Sequence, residues 1–184
     1  MRYLFFVPLF AFLIFAGGTV VAQDQENKEK KETEPFKRHV LSIMLAHTHI
    51  PNGFDGTTKK GALIVPSWGL NYSYRINEQW AIGWHNDMEI ATYIIEYDQG
   101  KDLERERPII TSLIAAYTPK QFTTFVVGFG REFEKHENFW VFRAGVEFEF
   151  EFGNNWAMSP SFIYDLKESV YDSWTLGITI GKWF

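Results

Sequence analysis

Residues Val146 to Phe152 read V-E-F-E-F-E-F, an unbroken alternation of apolar and acidic side chains. Successive side chains of an extended strand point to opposite faces, so Val146, Phe148, Phe150 and Phe152 share one face and Glu147, Glu149 and Glu151 the other. The same period runs through the terminal W-T-L-G-I-T-I-G-K-W-F, with Trp174, Leu176, Ile178 and Ile180 on one side. Followed along the chain, this period predicts eight strands, at about 38–49, 62–75, 79–94, 109–118, 122–133, 139–152, 155–166 and 173–184. No helical period competes with it.

The connections between these segments alternate in length. Residues 76–78, 119–121 and 153–154 form tight turns, and 134–138 and 167–172 are intermediate. Residues 50–61 and 96–108 are long; the first holds Pro51-Asn52-Gly53 and Asp55-Gly56, and the second is highly charged. Short turns at one end and longer loops at the other fit a closed, up-and-down, antiparallel barrel.

The faces differ in chemistry as well as polarity. Gly69 shares a face with Asn71, Ser73 and Arg75, and Gly83 with His85, Asp87 and Glu89. Gly128 and Gly130 align with Glu132, Gly145 with Arg143 and Glu147, and Gly177 and Gly181 with Thr175 and Thr179. The opposite faces carry Trp68, Leu70, Tyr72, Ile82, Trp84, Phe125, Phe129, Trp140 and Phe142. A soluble lipocalin-like barrel would put those aromatics inside, but eight strands enclose only enough room for modest side chains. A transmembrane barrel inverts the arrangement: aromatics face lipid, and glycine leaves space inside for long polar side chains. Trp68, Tyr74, Trp80, Tyr117, Trp140, Trp156 and Trp174 fall near strand ends, where aromatic girdles sit. Pro160, within a strand, requires a bulge or a locally unpaired position.

Composition narrows the class further. Residues 1–22 have Arg2, an apolar stretch from Leu4 to Ala16 and small residues before Gln23, the form of a cleaved secretory signal. The uncleaved alternative is a single membrane anchor. With no cysteine in the chain, lipoprotein acylation, disulfides and thiolate chemistry are excluded. Residues 23–36 are rich in Glu, Lys, Asp and Gln and predict a disordered arm on the periplasmic side. Residues 37–184 are one domain's worth of chain. A net charge of −5 without a basic patch argues against nucleic acid.

Strand count, loop asymmetry and the terminal aromatic Phe184 together resemble the small eight-stranded bacterial outer-membrane β-barrels of the OmpX and OmpA-barrel type. The resemblance covers 37–184. It implies Sec-dependent export, an outer-membrane location, a monomer in contact with outer-membrane lipid, and recognition of the last strand by the barrel-assembly machinery with Phe184 as the insertion signal. Lys182 departs from the apolar or aromatic residue usual at its place in that signature.

Candidate chemistry is confined to a few residues. The inward face collects Arg75, His85, Asp87, Glu89, Glu132, Arg143, Glu147, Glu149 and Glu151. Same-face glutamates on one strand lie about 7 Å apart, so three of them need cations or protons nearby. Arg75 and Arg143 are the partners expected, giving a salt-bridged, non-porous lumen. A cation site or a proton path are the sharper alternatives, with no diagnostic metal-ligand spacing. His47 and His49 form H-x-H on the outward face of the first strand. Lipid A deacylase barrels use a similar His-x-Ser pair with a glutamate on a lipid-facing surface; here the third residue is His49, the motif lies in the first strand, and the nucleophile is missing at the matching position. These two are therefore only weak catalytic candidates, and the expectation is a structural, adhesion or surface-interaction protein without enzyme activity, metal or other cofactor. The loop Asp98–Arg107 carries both signs of charge and reads as a solvated loop.

Overall fold

The computed structural model of the protein describes residues 36–56, 61–97, 101–120, 122–168 and 170–184. The predicted signal at 1–22 and nearly all of the arm at 23–36 lie outside the described residues. Twelve strands form among those described: β1 (His39–Ile50), β2 (Gly53–Phe54), β3 (Leu63–Arg75), β4 (Trp80–Glu89), β5 (Thr92–Tyr97), β6 (Lys101–Glu106), β7 (Ile109–Lys120), β8 (Thr123–Phe133), β9 (Phe139–Phe148), β10 (Phe150–Phe152), β11 (Trp156–Lys167) and β12 (Tyr171–Trp183). All pairings are antiparallel. The main sheet runs β10-β11-β12-β1-β3-β4-β7-β8-β9, and β9 pairs back onto β11. Because β9 and β10 together make one interrupted stave, this is a closed barrel of eight antiparallel staves.

Closure brings the two ends of the barrel together. Val40 lies opposite Trp183, the Phe184 amide donates to the His39 carbonyl at 2.9 Å, and the reverse bond is 3.1 Å. Sealing the edge in this way leaves no row of unpaired backbone groups.

Three segments depart from the expected strands. The segment expected at 79–94 stops at Glu89, because the chain turns out of the barrel: the Ile90 amide bonds the Pro66 carbonyl at 2.8 Å and the Glu89 amide the Pro108 carbonyl at 3.1 Å. The segment expected at 139–152 breaks at Glu149, whose amide bonds the Phe122 carbonyl. Pro160 on β11 lies at this break, past the last β10 pair (Phe150 with Met158) and before the first β9 pair (Glu147 with Ser161). The ladder is left unpaired beside Pro160 on that side, as its missing N–H requires. Finally, the expected charged loop is largely a β5–β6 hairpin that pairs with β2 in a separate three-stranded sheet.

The tight turns at 76–79 and 153–155 lie with the first and last described residues, Phe36 and Phe184, at what we call the turn end. At the first of them the Asn77 side chain accepts the amides of Gln79 and Trp80 at 2.9 and 2.8 Å, a local clamp typical of Asn. Asn154 and Asn155 take positive φ of 51° and 68°, which Asn tolerates better than branched residues. The opposite, loop end carries the three-stranded sheet. There Ile50, Val65, Tyr93, Ile95, Phe139 and Tyr171 pack into a small apolar cluster that roots the sheet on the barrel.

The outward face is a belt of exposed apolar side chains all round the barrel, with Leu45 at 68% and Leu113 at 72% exposure. One group of its polar side chains is satisfied locally: Trp84 Nε1 donates to Thr111 Oγ1 at 2.6 Å, Thr111 to Asn86 Oδ1 at 2.8 Å, and Asn86 Nδ2 to the Leu70 carbonyl at 3.2 Å. Aromatic groups mark both rims. Trp80 and Tyr117 are 4.7 Å apart at the turn end, and His49 stacks on Trp174 at 4.4 Å at the loop end. Lys182 lies over the Trp156 ring at 5.4 Å, an apolar stem with a polar tip at the turn-end rim.

Candidate functional site

The inward faces of the staves converge on a polar column with three levels. At the middle level Arg143 on β9 reaches across the lumen. It donates to Asp165 on β11 from Nε at 2.7 Å and from Nη2 at 2.8 Å, and to Asp87 on β4 from Nη1. All three side chains are buried. A planar guanidinium suits this, since one edge pairs bidentately with a carboxylate while the remaining nitrogen bonds a second. Close by, Thr48, Ser67 and Thr175 share hydrogen bonds of 2.9 Å. The opening beside Asp87 and Arg143 is about 10 Å³, roughly one water in size.

The level above, at the loop end, joins barrel to hairpin. Lys167 on β11 lies 3.0 Å from Glu89 and 2.9 Å from Glu132. The Tyr171 hydroxyl donates to Glu132, and Lys167 donates to the Tyr171 oxygen at 3.1 Å. Tyr93 on β5 donates to Glu89. Arg105 on β6 pairs with Glu132, donates to the Glu137 carbonyl at 2.6 Å and lies over the Phe139 ring at 4.8 Å. Two carboxylates, two cations and two phenols thus pair with one another in a buried cluster, the condition under which buried charge is tolerated, with Arg105 Nε left without a partner. Outside it, the Glu134 carboxylate accepts the His136 amide at 2.8 Å and the Glu106 amide at 3.3 Å. Partial burial works to raise its pKa, but those two amides and the Arg105 charge outweigh it and hold Glu134 below the ordinary carboxylate range.

The lowest level, at the turn end, is an open vestibule of about 780 Å³. Glu147, Glu149 and Glu151 line it with His85 and Arg75. The direct hydrogen bonds of Arg143 go to Asp87 and Asp165 and not to these glutamates, because those two carboxylates take its donors. Arg75 instead stands over the rings of Phe36 and Trp183, at 4.9 and 4.4 Å.

The structure therefore spreads the nine inward candidates over all three levels. Asp165, Lys167, Arg105, Tyr93 and Tyr171 complete the upper two and were absent from the sequence candidates. Asp165 and Lys167 do carry a signal, since they continue the inward face of Ser159, Ser161 and Ile163. Arg105 carries none, because it lies in a segment that reads as loop.

His47 is exposed on the outer face and His49 is half-buried against Trp174. His49 Nδ1 is buried without a hydrogen bond. Neither histidine has a carboxylate or hydroxyl arranged as a catalytic partner among the described residues. Among those residues no group of three or more His, Asp or Glu converges on a metal position.

Comparison with known proteins bears on the fold. No protein-family model matches the chain, and no curated protein matches its sequence. Among solved structures it is similar to Ail, the attachment invasion locus protein of Yersinia pestis, crystallised with the heparin analogue sucrose octasulfate. That likeness has a TM-score of 0.54 at 12% identity and covers 81% of this chain and all of that one. It is also similar to the outer membrane protein OprG of Pseudomonas aeruginosa, with a TM-score of 0.50 at 13% identity, over 80% of this chain and 96% of that one. The fold is that of the small eight-stranded outer-membrane barrels.

Proposed function

We propose that the protein is a bacterial outer-membrane barrel with a structural and surface-interaction role, and that it is not an enzyme. The observation that carries this is the opposition of faces: a continuous apolar belt outside and paired charge inside. Such a belt in water would be an exposed hydrophobic patch far beyond what soluble monomers carry. In lipid it is the required surface, and a closed barrel leaves no backbone edge unpaired. On this reading the turn end faces the periplasm, the loop end faces outward, and the Arg143 and Lys167 clusters make the lumen non-porous. Phe184, directly after the last strand, is 59% exposed and open to recognition during assembly.

The outward-facing element best suited to a partner is the three-stranded sheet of β2, β5 and β6. It is held to the barrel by buried groups rather than hung on a flexible loop. Its sign argues against the polyanion seen with Ail: Glu96, Asp102, Glu104 and Glu106 outnumber Lys101 and Arg107, and Arg105 is committed inside. A neutral or basic surface fits it better.

The test is to replace 96–103 by a short Gly-Ser turn, which keeps the buried Tyr93 and Arg105, in the full-length protein expressed in cells. The variant is expected to reach the outer membrane folded, while attachment of the cells to protein-coated surfaces falls. Unchanged attachment together with unchanged detergent sensitivity of the cells would refute the surface role.

A further inference from the structure

The vestibule at the turn end has no part in the surface role, and its composition is unlike the rest of the lumen. Above it, each carboxylate of Asp87, Asp165, Glu89 and Glu132 meets a cation. In the vestibule Glu147, Glu149 and Glu151 share the wall with Glu78 and one arginine, and that arginine lies over two rings at the mouth. Negative charge therefore exceeds positive in a cleft with low-dielectric walls, which concentrates cations.

A second observation is independent of the glutamates. His85 sits deeper, on β4, is only 8% exposed and lines the same cavity. It makes no hydrogen bond to any described residue, although a buried imidazole normally has a partner. A neutral imidazole offers one acceptor nitrogen, the group that a donor entering from the mouth would meet.

We infer that the vestibule binds a linear organic polyamine, its ammonium groups taken by Glu147, Glu149 and Glu151 and its leading end by His85. Three features favour this occupant over a metal ion. The carboxylates are strung along one stave at about 7 Å intervals rather than converging, and no described group of three ligands surrounds a point. A cavity of about 780 Å³ is far larger than an ion needs and falls in the range of small-molecule sites. Much of the remaining wall is Ala, Ser and Thr, which suits methylene segments between charges. Arg75 at the mouth opposes entry of a cation and is the gatekeeper of the site.

The inference rests on the barrel reading above for the side from which the ligand enters, but its test does not. The full chain is refolded in detergent micelles and titrated calorimetrically with spermidine, each sample first shown folded by its heat-dependent gel mobility. Saturable binding is expected. The E147Q/E149Q/E151Q variant should bind at least about tenfold more weakly, and H85Q several-fold more weakly. R75Q should bind about threefold more tightly, an outcome that damaged folding cannot mimic. Folded wild type that shows no saturable binding would overturn the inference. So would affinity indifferent to the triple change, or displacement of spermidine by an equal concentration of magnesium.

Discussion

Arg143 and Asp165 face each other across neighbouring staves, paired in register and joined by two hydrogen bonds of 2.7 and 2.8 Å. The same guanidinium bonds Asp87, 56 residues away in sequence. One side chain thus ties β9 to β11 directly and to β4 across the lumen. Removing one partner of a buried ion pair is costly because the other is left charged and unpaired. Arg143→Met should lower barrel stability by about 3–5 kcal/mol, measured as the urea midpoint in micelles. Adding Asp87→Asn and Asp165→Asn to it should restore most of that loss. If the triple variant is no better than the single one, charge pairing is not what Arg143 contributes.

Gly69 tests the same cluster from the backbone. A Cβ at this position would meet Asp87 Oδ1 and lie 2.9 Å from the Asn86 carbonyl oxygen. The carbonyl cannot swing away, so Gly69→Ala should cost about 1–3 kcal/mol and disturb the Asp87–Arg143 pair. At Gly153 nothing lies within 4 Å of such a Cβ, and Gly153→Ala should change stability by less than about 0.5 kcal/mol. Equal effects at the two sites in the same unfolding assay would contradict the close approach at Gly69.

Leu45 separates lipid from water as the outer solvent. It projects outward from the middle of β1 with 68% exposure. In a bilayer Leu45→Arg should cost about 2–4 kcal/mol, the penalty of a cation near the midplane. In water the same change would be close to neutral. Reversible unfolding in lipid vesicles distinguishes them, with Lys182→Arg at the rim as a control expected to be neutral.

The loop-end anchor responds to acid. Glu134 has its folded-state pKa lowered by the His136 and Glu106 amides and the Arg105 charge, against the opposing effect of burial. A lowered folded value means the stabilisation is present above the unfolded pKa of about 4.3 and is lost as pH falls through the folded value. Protection of the Glu106 and His136 amides, relative to their intrinsic exchange rates, should therefore stay high at neutral pH and fall below about pH 4. Glu134→Gln should exchange faster at pH 7 and lose the acid dependence. Loss of protection that begins near neutrality would assign the effect to another group.

Much of the barrel was legible because its signal is local. Strand period, face chemistry and turn composition are properties of neighbouring residues, and the inward and outward sets read from Gly128, Glu132, Phe125 and Phe129 match their burial. The hairpin was not legible. Thr92–Tyr97 has the same strand-favouring composition as β4, so nothing in I-A-T-Y-I-I-E-Y marks where the barrel is left; that is decided by Pro66 and Pro108 carbonyls on other segments. Charge partners were hidden for the same reason. Lys167 and Glu89 are 78 residues apart, and pairing Arg143 with its strand neighbours Glu147 and Glu149 was the local guess that a distant Asp87 and Asp165 displaced. The break at Glu149 was half visible, through the constraint that Pro160 places on the stave beside it.

The central claim is that the aromatic and aliphatic belt lies in the outer membrane around a folded, charge-paired barrel. Its most direct test is to separate inner and outer membranes of expressing cells and compare unboiled with boiled samples on an SDS gel. The account predicts that the protein appears in the outer-membrane fraction and that its mobility changes on heating, as a detergent-resistant barrel unfolds only then. A protein recovered without detergent from the periplasm or medium, with one mobility before and after heating, would contradict it.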